Sequence, residues 1–479
     1  MAEEGSCRKL SRVLAFDFGA STGRAILAEY NGTRLDYKEV HRFENIPKTE
    51  NGHLCWDFPY LLGEVKKAVD MCNDVDSIAF DTWGVDYGLL DENDNLMGLP
   101  VNYRDTRTNG MPDKIFEKIS PFDLYKSTGN QIMPINTLFQ LTAEDKKNPK
   151  TLLFMPDLFV WALCGSKSAE KTIASTSQMY DFNSHGWNYD AAALSGMDTA
   201  ILPPLVNSST LAGEYKGIKV IKVAGHDTQC AVCAMPAEKD KCSAFLSCGT
   251  WSLIGCECDN AVLTEKSMKD ELSNEIGANG KVNYLKNISG LWLIQEIRRN
   301  FKAQGKAYSF NDMEQLARAE KPFTCFIDPD APEFAVPGSV PEKIQQYCRK
   351  TGQSVPETDG ALVRCIYESL AMKYKYAVMQ LSENTGNDFD VLHLLGGGTK
   401  DGFLCQMTAD SLGIPVVAGP VEATALGNII LQLIALGDIK DIDESRAVIR
   451  AQESVKKYLP ENSAEWENAY KKFCKAIQK

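Results

Sequence analysis

The chain has 479 residues, 44% hydrophobic, 24% charged and 9% aromatic, and sets 51 Lys and Arg against 64 Asp and Glu for a net charge of −13. A chain of this length and composition buries a large core without covalent staples, which excludes whole-chain disorder, collagen-like repeats and a small disulfide scaffold. The acidity excludes diffuse binding of nucleic acid or of an anionic membrane, so a bound anion must be gripped by backbone amides, a metal ion and a few placed cations.

At roughly 150 residues per domain the length allows about three domains, or two large ones. No apolar run reaches the length of a membrane span, and the richest, residues 152–163, is interrupted by Pro156 and Asp157. The first ten residues, MAEEGSCRKL, hold two glutamates and no apolar core, so no secretory signal is read there and a cytoplasmic setting is expected. The 15 cysteines are an odd number, and are scattered. Cys230 and Cys233 form a C-x-x-C, Cys256 and Cys258 a C-x-C. These spacings suit a zinc or redox site. No second ligand pair completes such a set, however, and the C-x-x-C sits in a small-residue helical stretch, so buried thiols are the favoured reading.

In chain order, a short apolar run (13–16) ends in Asp17. The turn Gly19-Ala20-Ser21-Thr22-Gly23-Arg24 follows, then a second strand (25–30), an Asn31-Gly32 turn and a third strand through Val40. A glycine turn that opens a strand rather than a helix lacks the context of a P-loop or a dinucleotide-binding fingerprint. A similar unit runs from residues 77–80 through Asp81-Thr82-Trp83-Gly84 to residues 85–90. Residues 111–200 are helix-rich. A strand at 220–224 leads into Gly225-His226-Asp227-Thr228 and a helix (229–234).

After a polar link (236–241) the opening pattern recurs: strand (243–246), Ser247-Cys248-Gly249-Thr250, strand (251–256). This predicts an internal duplication, with no acid in the second copy where the first has Asp17. Two like-folded domains with unlike residues are expected to face each other across a ligand cleft. A strand (391–395) then ends in Gly396-Gly397-Gly398, with a helix (403–412), a strand (414–417), an apolar helix (422–436) and a charged helical tail (440–479) read as a solvated cap.

Four places could carry chemistry. Asp17 beside the free amides of residues 19–24 suits a metal-bound polyphosphate, with Ser21 and Thr22 as hydroxyl donors and Arg24 as a local cation; a plain hairpin turn has the same composition. Asp227, at a strand end before a helix, suits a general base, or Asp227 and Thr228 simply cap that helix; His226 is a second base or an orienting neighbour. Ser247–Thr250 offers a second set of amides. The triple glycine admits a ring or a phosphate close to the backbone, or is a tight turn.

Taken together, these stretches resemble the FGGY family of carbohydrate kinases. The resemblance runs from about Val13 to about Leu436. It is carried by DFGASTGR (17–24), VHRFEN (40–45), FDTWGVDYGLLD (80–91), LPVNYRDTRTNG (99–110), GHDTQCAV (225–232), LSCGTWSL (246–253), KNISGLWLIQ (286–295), LLGGGTKDGFLCQMTAD (394–410) and AGPVEATALGN (418–428). It implies an α/β fold of two ribonuclease H-like domains of the actin, hexokinase and Hsp70 type, facing across a cleft. The expected boundaries are 1–240 for the sugar and phosphate side, 241–440 for the nucleotide side and 441–479 for the helical tail.

The resemblance also implies ATP and Mg2+ as cofactors and a small ketose as substrate. The DTWGVD, YRDTRTNG and KNISGLWLIQ stretches point within the family to kinases of L-rhamnulose rather than of glycerol, xylulose or gluconate. Another ketose, L-fuculose or L-xylulose, is the alternative substrate, and a non-catalytic actin- or Hsp70-like ATP-binding protein the alternative class. By position, Asp227 resembles the catalytic base. Ala20, Ser21, Thr22, Gly23 and Arg24 resemble the phosphate loop. Thr250, Gln295 and Gly397 resemble further ATP contacts, and Gly84, His226, Asp227, Thr228 and Asn287 resemble sugar contacts. Asp17 resembles the acid that holds Mg2+ through water, and Trp83, Tyr103, Arg104 and Asp105 are possible pocket walls. No nucleic acid or membrane partner is implied, and the chain is expected as a monomer or small homo-oligomer.

Overall fold

The computed structural model describes residues 10–145 and 148–477; Cys7 and all but the last residue of MAEEGSCRKL lie outside them. The chain divides into two compact units. The first is Met1–Pro236 with Glu257–Tyr284 and Ala423–Glu453; the second is Ala237–Cys256 with Leu285–Glu422 and Ser454–Lys479. The units are therefore discontinuous in sequence, each drawing on stretches from more than one of the expected segments 1–240, 241–440 and 441–479.

Alternating short apolar runs and turns build one sheet from strands β1 (Ser11–Phe18), β2 (Thr22–Tyr30), β3 (Leu35–Glu44), β4 (Ser77–Thr82), β5 (Thr210–Tyr215) and β6 (Ile218–Lys222), in the order β5-β6-β4-β1-β2-β3. β1, β2 and β3 are antiparallel, β4 runs parallel to β1, β6 parallel to β4, and β5 antiparallel to β6.

The second sheet holds β7 (Ser243–Cys248), β8 (Trp251–Cys258), β9 (Ser273–Ile276), β10 (Val282–Ser289), β11 (Val391–Leu395), β12 (Val416–Ala418) and β13 (Lys456–Tyr458), ordered β9-β10-β8-β7-β11-β12-β13. Its run β10-β8-β7-β11-β12-β13 repeats β3-β2-β1-β4-β6-β5. β7 and β8 are antiparallel, β7, β11 and β12 are parallel, and β13 closes the edge antiparallel. The duplication expected from the recurring strand–turn–strand pattern is present as one topology used twice.

Side chains on a strand alternate between its two faces. On β1 this sends Phe16 and Phe18 to one face and Asp17 to the other. Phe16 stacks on Phe80 of β4 with ring centroids 5.1 Å apart, and Phe18 on Phe159 of the helix Met155–Cys164 at 4.5 Å. This aromatic layer fixes the ends of β1 and β4, where the two acids stand. The opposite face is covered by the helix Ala423–Leu436, whose polar side chains Asn428 and Gln432 lie one turn apart and reach the strands. Asn428 Nδ2 donates to Asp81 Oδ2 at 2.7 Å, and Ser77 Oγ donates to Gln432 Oε1 at 2.7 Å.

The segment after Lys440, expected as a solvated helical cap, is integrated instead. The helix Ile442–Gln452 counts to the first unit. β13 joins the second sheet, and the helix Ser463–Ile477 buries Trp466, Ala469, Tyr470 and Phe473. Its aromatic stripe packs on Phe323 and Phe326, and burial of that apolar area overrides the charge of the segment.

The helix Ala423–Leu436 also lies close against the helix Asp227–Cys233. A Cβ on Gly427 would fall inside the van der Waals envelope of the Cys230 carbonyl. Backbone cannot yield as a flexible side chain can, so Gly427→Ala is expected to cost about 1–3 kcal/mol. It should lower the thermal midpoint in a calorimetric scan; an unchanged midpoint contradicts this packing.

Candidate functional site

The first unit gathers its acids at strand ends. The parallel register of β1 and β4 sets Asp17 beside Asp81, and the antiparallel register of β1 and β2 sets Asp17 opposite Arg24. Arg24 and Asp17 form a short ion pair. The intervening turn is closed by Gly19 N–H donating to Thr22 O at 2.9 Å. Asn45 braces it, its amide donating to Ser21 O at 2.9 Å and its Nδ2 to Gly19 O at 3.0 Å. The turn leaves Ser21 and Thr22 exposed and Ala20 half-buried.

Asp81 has 0% exposure, and its Oδ1 has no hydrogen-bond partner among the described residues. Burial, and then the charge of Asp17, push its carboxyl well above the usual carboxylate range, against the pull of Asn428. No local pattern distinguished Asp81 from any acid in a strand, since its burial depends on a helix far along the chain.

His226, Asp227 and Thr228 stand where β6 gives way to the helix Asp227–Cys233. Thr82 N–H donates to Gly225 O at 2.9 Å, which ties this corner to the end of β4. Below it, Glu170 Oε2 accepts from Gly225 N at 2.9 Å and from Thr172 N at 2.9 Å. The cap position belongs to His226, and Asp227 is the first helical residue. Asp227 Oδ1 accepts from Thr228 N at 2.6 Å and lies 3.4 Å from His226 Nε2; its side chain is 32% exposed, enough for a hydroxyl group to reach it. Burial, reinforced by Asp17, lifts its carboxyl to about 6 while the His226 charge opposes the rise.

His226 is buried, and its Nδ1 lies 2.8 Å from Glu275 Oε2 on β9. Burial alone would depress its pKa, but the Glu275 carboxylate outweighs it and holds the imidazole up at about 9. An imidazolium has no lone pair to receive a proton, so of the two roles open to His226 the geometry favours orienting Asp227. Glu275 also accepts from Gln229 Nε2 at 2.6 Å. Glu275 and Glu170 were missed in sequence because their partners lie in other segments.

Trp83 and Tyr103 form part of a buried wall around another acid absent from the expectations, Asp86. Its Oδ2 accepts from Trp56 Nε1 at 2.6 Å, Trp83 Nε1 at 3.0 Å and Tyr103 N at 3.1 Å. Burial raises its carboxyl to about 6, and these donors limit the rise. Gly84 lies beside this wall against the Thr176 side chain. Arg104 is exposed over the Tyr103 ring. Asp105 braces a turn, accepting from Leu54 N at 2.7 Å and Arg107 N at 2.9 Å.

Thr250, Asn287, Gln295 and Gly397 belong to the second unit. The turn after β7 stacks on the loop before the helix Trp292–Ala303. Thr250 O accepts from Gly290 N and Trp292 N at 3.1 and 3.2 Å, and Gly249 O from Leu291 N at 3.0 Å. Gln295 is in the first turn of that helix and Asn287 on β10. A Cβ on Gly398 would strike Cys248 Sγ, whereas a Cβ on Gly397 would meet nothing within 4 Å. The triple glycine therefore packs with one residue and opens to solvent with its neighbour. Cys248 serves as buried packing beneath it, its thiol pushed up to about 11 by burial.

Models of the FGGY family of carbohydrate kinases match residues 12–246 (N-terminal domain) and 244–436 (C-terminal domain). The chain is 37% identical over 484 residues to a protein named Rhamnulokinase from Bacteroides thetaiotaomicron, covering 97% of this chain and 99% of the relative. It is 38% identical over 472 residues to a Rhamnulokinase from Klebsiella pneumoniae, covering 94% and 95%. A third Rhamnulokinase, from Bacillus subtilis, is 36% identical over 465 residues, covering 94% and 95%. Among solved structures, a ligand-bound xylulose kinase from Lactobacillus acidophilus superposes with a TM-score of 0.80 at 16% identity, covering 97% of each chain. Plasmodium falciparum glycerol kinase with ADP reaches 0.78 at 15% identity, covering 98% of this chain and 99% of the other. These likenesses carry the two-domain fold.

The Glu275 charge is what keeps His226 protonated. Glu275→Gln should therefore lower the His226 pKa from about 9, read from its imidazole signals in an NMR titration. A titration that does not move contradicts the pairing.

Proposed function

Because the chain belongs to the FGGY family of carbohydrate kinases, we propose that it transfers the γ-phosphoryl group of ATP to the 1-hydroxyl of L-rhamnulose, giving L-rhamnulose 1-phosphate in rhamnose breakdown. The observation that carries the chemistry is Asp227: a reachable carboxylate with a pKa lifted to about 6, fixed by Thr228 and flanked by a cationic His226. Near-full-length identity of 36–38% to proteins named Rhamnulokinase supports the substrate.

In phosphoryl transfer the protein mainly positions groups and offsets charge. Asp227 receives the proton of the sugar hydroxyl as that oxygen attacks in line, and a base titrating near 6 is ionised and still basic enough at neutral pH. His226, held charged by Glu275, keeps Asp227 in place and resists its premature protonation. Gly84, Thr228 and Asn287 are proposed sugar contacts. Ala20, Ser21, Thr22, Gly23 and Arg24 are proposed to hold the ATP phosphates, with Arg24 supplying positive charge in an otherwise acidic chain. Thr250, Gln295 and Gly397 are proposed to contact the nucleoside part, the open space above Gly397 admitting a flat group to the backbone. Bound with the nucleotide, Mg2+ would supply positive charge to offset that of the phosphates. Asp17, through water, and the unpartnered Oδ1 of Asp81 are oxygen ligands of the kind it takes.

Asp227→Asn keeps the size of the side chain and removes the base. It should reduce turnover by roughly a hundred- to ten-thousand-fold while ATP binding, measured by calorimetry, stays near that of the parent. Ordinary turnover in this variant would remove Asp227 from the role. ADP release followed across a panel of ketoses should be fastest, by kcat/KM, with L-rhamnulose. A higher rank for L-fuculose or L-xylulose overturns the substrate, and no stimulation by any ketose overturns the kinase.

A further inference from the structure

The second unit contains a group of side chains that the proposed reaction does not use. Cys325, Cys348 and Cys365 place their sulfur atoms within 4.8 Å of one another. The three residues are 1%, 0% and 2% exposed. They come from a loop, from the helix Val340–Lys350 and from the helix Asp359–Thr385, so no spacing along the chain marks them. Among the described residues no other group of three Cys, His, Asp or Glu side chains converges in this way. The C-x-x-C pair shows the contrast: Cys230 and Cys233 donate separately to the backbone carbonyls of Ala224 and Gln229, as packed thiols do.

The loop that brings in Cys325 is held from both helices. Phe323 has a left-handed backbone, φ 59°, and its amide donates to Glu368 Oε2 at 2.9 Å. The Ile327 amide donates to Ser369 Oγ at 3.0 Å; Glu368 and Ser369 follow Cys365 on the same helix. Gln353, just beyond the helix that carries Cys348, accepts from Phe326 N and donates to Phe326 O, each at 2.8 Å. The backbone on both sides of Cys325 is thus pinned to the two elements that carry the other thiols. That is the support a preorganised ligand set needs.

We propose that Cys325, Cys348 and Cys365 form a three-thiolate site for a thiophilic d10 cation, of the class of Zn2+ and Cu+. Thiolate sulfur selects this class over hard cations. Around zinc, with bonds of about 2.3 Å, tetrahedral sulfurs lie about 3.8 Å apart, inside the observed limit. Binding breaks three S–H bonds and forms three S–metal bonds, releasing three protons to solvent. A divalent ion leaves one excess negative charge in the buried site and a monovalent ion leaves two, so the charge balance favours Zn2+. The bound ion would clamp the loop to both helices and stabilise the second unit, independently of phosphoryl transfer.

The test uses the full-length chain, stripped by a chelator under reducing conditions and titrated separately with Zn2+ and with Cu+ against chromophoric competitors. The expected result is one ion per chain and a raised thermal midpoint, with Cys348→Ser and Cys365→Ser losing both effects. The arm that binds more tightly identifies the ion. Should either variant misfold by circular dichroism, the wild-type chain decides: cadmium loading must produce thiolate-to-metal charge-transfer absorption in proportion to bound ion. Failure of the folded wild type to take up either metal overturns the site. So does uptake without that absorption, or uptake unchanged in folded variants.

Discussion

The hydrogen bond from Asn428 to Asp81 is the contact on which the candidate site depends. A carboxylate at the end of a buried strand is costly unless something answers it. Here one oxygen is answered by an amide from the helix Ala423–Leu436, and among the described residues the other has no partner. The same helix covers the strand ends where Asp17 and Asp81 stand side by side. The aromatic layer of Phe16, Phe18, Phe80 and Phe159 closes the opposite face. With both faces sealed, the acids can open only at the carboxyl ends of the strands, the end at which ligands bind open α/β sheets.

Burial and charged neighbours together set the charge states. Asp81 is driven far toward its neutral form, Asp227 only to about 6, and His226 up to about 9. The three differ because their neighbours differ. Asp81 faces another acid and an amide, Asp227 faces an imidazolium and a backbone N–H, and His226 faces Glu275. Environments that push neighbouring titratable groups apart in this way are those in which acid and base roles can be divided.

The locally encoded parts of this arrangement were legible in the sequence. The turn at residues 19–24, the Gly225-His226-Asp227-Thr228 corner and the triple glycine each combine a strand end with residues suited to a sharp turn, and the repeated strand–turn–strand pattern revealed the duplication. What was not legible depends on distant partners. Asp81 acquires its meaning from Asn428, and Glu275 from His226 and Gln229. β13 is built on two exposed lysines that read as solvated tail; it is a strand because it pairs with Val416–Ala418. The helix Ser463–Ile477 likewise shows its buried stripe only once Phe323 and Phe326 are in place.

The interleaving of the two units has a consequence for synthesis. A chain leaving the ribosome presents Asp17, Asp81 and Asp227 long before Asn428 and Gln432 exist, and the first unit includes residues as late as Glu453. A nascent chain can form the sheet but cannot roof it. Any product that stops near residue 240 carries strand-end acids and apolar strand faces without the helix that covers them. Such a chain is a natural client for a chaperone until its last fifth has emerged. The order of the genetic text and the order in which the site is completed are therefore different things.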